Sequence, residues 1–218
     1  MTRDEFCKYH WEYYLILEKD FLETERYITF DLGDNYLYTN LTITDYGNSL
    51  CFSNEFVKQY QAICSEVDVI LKSMCEEINS STTAKNMEQY STEILNQWSG
   101  IVQQKVKMKD IELQPLLNWT SSPNYKSPDW WTPYNKVKHE RLLNYKKANL
   151  KNIANALAAL YIFEQYFVKY IGDRDDEMDV PNDISKLFGM VDYSTKDTVI
   201  GKESYLATEE DIRDMWND

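Results

Sequence analysis

Residues 148–171 read ANLKNIANALAALYIFEQYFVKYI, and this stretch decides the fold. Ile153, Leu157, Leu160, Phe167 and Ile171 return every three to four residues, the period of an α-helix with one buried seam. The window is the most apolar in the chain, yet Glu164, Gln165 and Lys169 interrupt it. A charge every few residues makes it a core helix and not a membrane span. Glu164 falls inside the seam and is its only charge.

Working outward from this helix, the same period recurs twice. Phe56, Tyr60, Ile63, Val67, Ile70, Met74 and Ile78 form the apolar stripe of a long helix capped by Ser53 or Asn54, with Glu66, Asp68 and Lys72 off its centre. Phe6, His10, Tyr13, Leu17 and Phe21 mark a first helix over 3–25. A further helix is expected over about 85–104. Between the first two helices, residues 26–52 change character: β-branched and aromatic residues alternate with polar ones around Gly33-Asp34-Asn35 and Tyr46-Gly47-Asn48, the pattern of a small β-hairpin or ribbon. Residues 105–117 alternate weakly and are candidates to pair with it.

The chain is therefore expected to be mainly α, a bundle of four to five helices over 1–171, with the ribbon inserted at 26–52 and an acidic tail over 172–218. Its 218 residues with 43% hydrophobic content suffice for one substantial core, and six glycines and five prolines are too few for a turn-rich β design. The opening residues carry no signal-peptide pattern. Four cysteines without a C-x-x-C pair fit a reducing cytoplasm. Cys64 and Cys75, three helical turns apart, are expected to share a buried face. With only His10 and His139, and no cysteine at ligand spacing from either, no metal or cofactor is expected.

The formal charge of −13 is unevenly distributed. Residues 172–218 carry 14 acids and 5 bases, and residues 1–171 are nearly balanced. Within that body, Lys126 to Lys151 holds seven bases against Asp129 and Glu140. An acidic chain with a basic segment can still meet a polyanion locally. Ser127-Pro128-Asp129 reads as the start of a helix running to about Asn144, and the tail has the charge to fold back over it.

Histidine chemistry concentrates in that segment. On a helix Asn135 and His139 lie one turn apart, as do Tyr134 and Lys138, and Arg141 follows Lys138 by three. An imidazole among cations suits a phosphodiester: the cations neutralise phosphate and the imidazole moves a proton. His139, Asn135, Lys138 and Arg141 are the candidate catalytic residues. Trp130, Tyr134, Lys136 and Tyr145 on the same segment, with Glu66 and Asp68 on the long helix, are candidate substrate contacts. Adjacent tryptophans such as Trp130 and Trp131 stack on bases in some proteins, and more often lock a helix start against a neighbour.

Tyr134-Asn135-Lys136-Val137-Lys138-His139, with Ser65-Glu66-Val67-Asp68 on the long helix, resembles the R-N-x-x-x-H arrangement of the HEPN superfamily (higher eukaryotes and prokaryotes nucleotide-binding). The resemblance covers about residues 53–171. It implies a HEPN-like helical bundle that works as a homodimer. It also implies metal-independent RNA cleavage with 2′-hydroxyl attack, in toxin–antitoxin or phage-defence systems, under a cognate antitoxin or regulatory protein. Tyr134 stands where the family has arginine, so the fixed charge of the motif is missing. Two other readings stand beside the RNase: a catalytically inactive module binding RNA or protein through the basic segment, and a purely structural helical interaction protein.

Overall fold

A computed structural model describes residues 1–33, 47–181 and 183–193. Residues 150–175 form one helix, α7 (Leu150–Asp175), capped by Asn149, whose Oδ1 accepts the Asn152 N–H at 3.0 Å. Its seam is buried as the periodicity requires, Glu164 included. Against it lies α3 (Asn54–Ile78), capped by Ser53, whose Oγ accepts the Phe56 N–H at 3.0 Å. Phe56, Tyr60, Ile63, Val67, Ile70 and Met74 are fully buried, as are Cys64 and Cys75. These two helices make the main contact of the molecule, and the other elements pack around them.

The first helix differs from the sequence expectation in two respects: Tyr13 of the expected stripe is exposed while Tyr14 is buried, and the helix is not uniform. It is α1 (Arg3–Phe6), a π-helical turn (Cys7–Trp11) and α2 (Glu12–Glu23), opened by a capping box between Thr2 and Glu5. The wider turn brings two consecutive residues, His10 and Trp11, into the core. Phe6 meets Phe167 edge-on at 5.7 Å, and Trp11 and Tyr14 meet Tyr161, so this segment packs on α7.

Beyond α3, α4 (Met87–Gln97) is shorter than expected. Trp98 leaves the helical region at φ −134°, and Ser99–Gln103 continues as a 3₁₀ turn. Strands β1 (Val106–Met108) and β2 (Ile111–Leu113) form a hairpin turned at Lys109, at φ 55°. The partner of β1 on its other side is not the 26–52 segment. It is β3 (Phe188–Met190), antiparallel with Met108 opposite Phe188. The middle of the expected ribbon, residues 34–46, lies outside the described residues. In its described remainder Asn48 N–H donates to the Asp31 carbonyl at 2.7 Å and Asn48 Nδ2 to the Thr29 carbonyl at 2.9 Å, and Phe52 makes an isolated bridge to Asn149.

The start of the tail folds onto the body. A Cβ at Gly172 would stand 3.0 Å from the Asp179 backbone, so the missing side chain lets the chain turn back across the end of α7. Arg3 then donates to the Val180 carbonyl, and Trp11 Nε1 donates to the Asp183 carbonyl at 2.8 Å. Buried Glu18 accepts from Tyr14, from Ser185 and from the backbone N–H groups of Lys186 and Leu187. The described part of the tail therefore packs on α2, α7 and β1 and not over the basic segment. No helix of the described residues is long and apolar enough to cross a membrane.

Candidate nucleic-acid interface

The basic segment is two short helices, α5 (Trp131–His139) and α6 (Arg141–Asn144), where the sequence suggests one. Ser127 does not cap: its Oγ pairs with the Thr132 hydroxyl at 3.0 Å, and α5 begins at Trp131. Glu140, at φ −134° and ψ 54°, breaks the run. Behind it, Leu150 N–H and Lys151 N–H donate to the carbonyls of Cys51 and Ser49, both at 2.9 Å. Tyr145 donates to Asn54 Oδ1 at 2.6 Å. The segment is thus fixed at both ends to the body.

Its inner face is hydrophobic. Trp130 is buried, its Nε1 donating to the Pro115 carbonyl at 3.0 Å and its own carbonyl accepting from Tyr60. It locks the helix start and is not available to stack on a base, a correction to its candidacy as a substrate contact. Tyr134 is likewise buried, edge-on to Tyr60 at 5.8 Å, and burial raises its phenol to about 12, with Cys64 and Asp68 adding to the effect. Tyr134 thus faces α3 and not solvent.

The outer face is cationic. Lys136, Lys138, His139 and Arg141 are exposed, and Asn135 is half-buried one turn before His139. Lys138 lies over the Tyr134 ring at 5.6 Å, and Lys146 over Phe52 at 5.8 Å. Among the described residues, Lys126, Lys136, Lys138, Arg141 and Lys146 have no carboxylate partner. Elsewhere on the surface Lys58, Lys72, Lys105, Lys109, Lys169 and Arg174 are ion-paired, whereas exposed Lys8, Lys19, Lys85, Lys107 and Lys186 make no ion pair among the described residues and lie dispersed along the sequence. Leu142 and Leu143 stand exposed beside Arg141.

Glu66 and Asp68 separate. Two residues apart on α3, they point in nearly opposite directions. Asp68 is the one on the α5 side, close enough to raise the Tyr90 and Tyr134 phenols. Glu66, expected off the stripe and beside the basic helix, is instead buried and meets His10, with Nδ1 and Oε1 3.4 Å apart. Glu164 joins them. One donor atom from each of the three residues lies within 4.8 Å of the others. Neither Glu164 oxygen has a hydrogen-bond partner, and burial, reinforced by the Glu66 charge, pushes its carboxyl well above the usual carboxylate range. Sequence reasoning marked Glu164 as the lone charge of its seam and His10 as a stripe residue, but placed no ligand set there. The three residues come from distant parts of the chain, and only the packing unites them.

Two concave sites complete the surface. A cleft of about 550 Å³ is lined by Asp20, Glu23 and Glu55 with Lys58, and its acidity repels phosphate. A cavity of about 310 Å³ lies between Trp11, Tyr161 and the returning tail. Compared with known protein families, curated proteins and solved structures, the chain matches none.

Proposed function

We propose that this protein is a HEPN-like RNA-binding module whose α5–α6 face holds the phosphodiester backbone. The observation that carries the reading is the concentration of exposed cations, Lys126, Lys136, Lys138, Arg141 and Lys146, within residues 126–146, where they have no carboxylate partner among the described residues and Asp129 and Glu140 are the only acids of the stretch. Unpaired cations keep their full charge for an incoming polyanion and release its counterions on contact. Half-buried Tyr145, its ring edge-on to Phe52 at 5.6 Å, supplies an aromatic edge at the end of the row.

Cleavage is the second reading. Exposed His139, with Asn135 one turn earlier, supports it, and so does the exposed Leu142–Leu143 pair, an apolar contact through which a second copy brings its own histidine close. Tyr134 supplies no cation where the HEPN motif has arginine, and its burial against α3 keeps it from the site of each copy, which favours binding over cleavage.

Titration of fluorescein-labelled single-stranded RNA by anisotropy tests the first reading. With about five phosphates neutralised, affinity falls roughly 100-fold between 50 and 200 mM salt. An affinity indifferent to salt overturns it. Incubation of the same RNA tests the second: cleavage products that disappear in His139→Ala support it, and products that persist in that variant exclude His139.

A further inference from the structure

The core cluster on the opposite side of α3 has a chemistry of its own. His10 from the π-helical turn, Glu66 from α3 and Glu164 from α7 are 3%, 7% and 0% exposed. Among the described residues, the two carboxylates and the imidazole of the group make no side-chain hydrogen bond or ion pair beyond the His10–Glu66 contact. Burying such charge without compensation is among the costliest arrangements in a protein. Protonating Glu164 removes its charge but still leaves its carbonyl oxygen facing the cluster without a partner. A divalent cation meets both requirements at once, since it balances two carboxylates and takes their lone pairs.

The geometry agrees. Bonds of about 2.1 Å to a tetrahedral ion set the donors about 3.4 Å apart. The His10 Nδ1 to Glu66 Oε1 separation is 3.4 Å, and the third donor lies within 4.8 Å. Rotation of the Glu164 side chain on the order of 1 Å closes the set. One imidazole with two carboxylates is a borderline-hard donor group, suited to zinc, manganous or ferrous ions more than to calcium or cuprous ions. The π-helical turn is the second feature that sets this place apart, because such turns concentrate at functional sites and here one delivers the imidazole. The aromatic surround of Phe6, stacked on His10 at 6.0 Å, and Phe167, edge-on at 5.8 Å, keeps the ring in place.

We propose that His10, Glu66 and Glu164 bind one divalent first-row transition ion, which fastens the amino-terminal helix to α3 and α7. The ligands are buried and belong to residues far apart in the chain, so the ion acts as an internal clamp, and its loss loosens the amino-terminal segment first.

The test uses the untagged full chain. Elemental analysis of the dialysed protein is expected to give about one equivalent of zinc, manganese or iron, and stripping with dipicolinate followed by zinc or manganous chloride to raise Tm by about 5 °C or more. Glu164→Gln and His10→Gln are expected to bind less than a tenth of an equivalent and to lose the Tm response. In the wild-type chain, cobaltous ion is expected to give a visible d–d absorption with the same stoichiometry, a readout independent of variant folding. Metal-free protein whose Tm ignores both zinc and manganous ions overturns the proposal, as does full metal retention in Glu164→Gln. The cluster is then a protonated core group, and the same Glu164→Gln chain keeps or raises its Tm.

Discussion

Changing Lys136, Lys138 and Arg141 together to glutamate is expected to weaken RNA binding at 50 mM salt by at least about 100-fold, and to leave folding intact. The three side chains are exposed and make no ion pair among the described residues, so their reversal breaks no native salt bridge. The one contact at risk is Lys138 above the Tyr134 ring, worth about 0.5–1 kcal/mol at an exposed site. Each reversal removes a phosphate contact and adds a repulsion, which is why the effect exceeds that of alanine. The salt dependence of any residual binding is expected to flatten in step. Anisotropy titrations with the labelled RNA, alongside thermal melts, measure both quantities. A variant that binds as the wild type does places the RNA elsewhere.

The second large effect is expected at Glu18, and it concerns stability. This buried carboxylate gathers Tyr14 Oη at 2.7 Å, Ser185 Oγ, and the backbone N–H groups of Lys186 at 2.9 Å and Leu187 at 3.3 Å. It thereby fixes the segment leading into β3 to α2. Burial, reinforced by the Glu18 charge, holds the Tyr14 phenol far above its ordinary value. Glu18→Ala leaves several of these donors buried and unpaired, a cost of about 3–5 kcal/mol. For a chain of this size that lowers Tm by roughly 10 °C. Glu18→Gln keeps the acceptor oxygen and is expected to lose less than half as much. Differential scanning calorimetry distinguishes the two. Equal, small losses would mean that β3 holds without the carboxylate.

The parts of this fold that were legible in sequence are those with long periodicity. The seam of 148–171 and the stripe of 56–78 gave α7 and α3, the latter with its Ser53 cap, because a 3.6-residue pattern sustained over six turns has one geometric solution; the Asn149 cap of α7 is seen only in the structure. Short elements were harder to read. Phe188–Met190 is a three-residue strand, and its identity is set by the open edge of β1 and by Glu18, both remote in the chain. The break at Glu140 carries no glycine or proline signal, whereas Ser99-Gly100 marks the early end of α4 at Trp98.

The candidate sites divide along the same line. Asn135, Lys138 and His139 were readable together because they lie within one stretch of α5, whereas Arg141, expected on the same helix, lies beyond the break at Glu140 on α6. The inward orientation of Trp130 and Tyr134 depends on Tyr60, Pro115 and Cys64, which no spacing within 126–151 reveals. The His10, Glu66 and Glu164 cluster is the extreme case. Each residue was visible alone, Glu164 as a charge in an apolar seam, but their union required three helices to meet.

The central claim is that the α5–α6 face is the RNA surface, and photo-crosslinking tests it most directly. With 4-thiouridine RNA and the full wild-type chain, peptide mapping by mass spectrometry is expected to find the adducts within residues 126–151, at His139, Tyr145 and the lysines beside them. Adducts confined to the Trp11, Tyr161 and Tyr193 cavity, or a complete lack of adducts at protein concentrations that saturate the anisotropy signal, would contradict it.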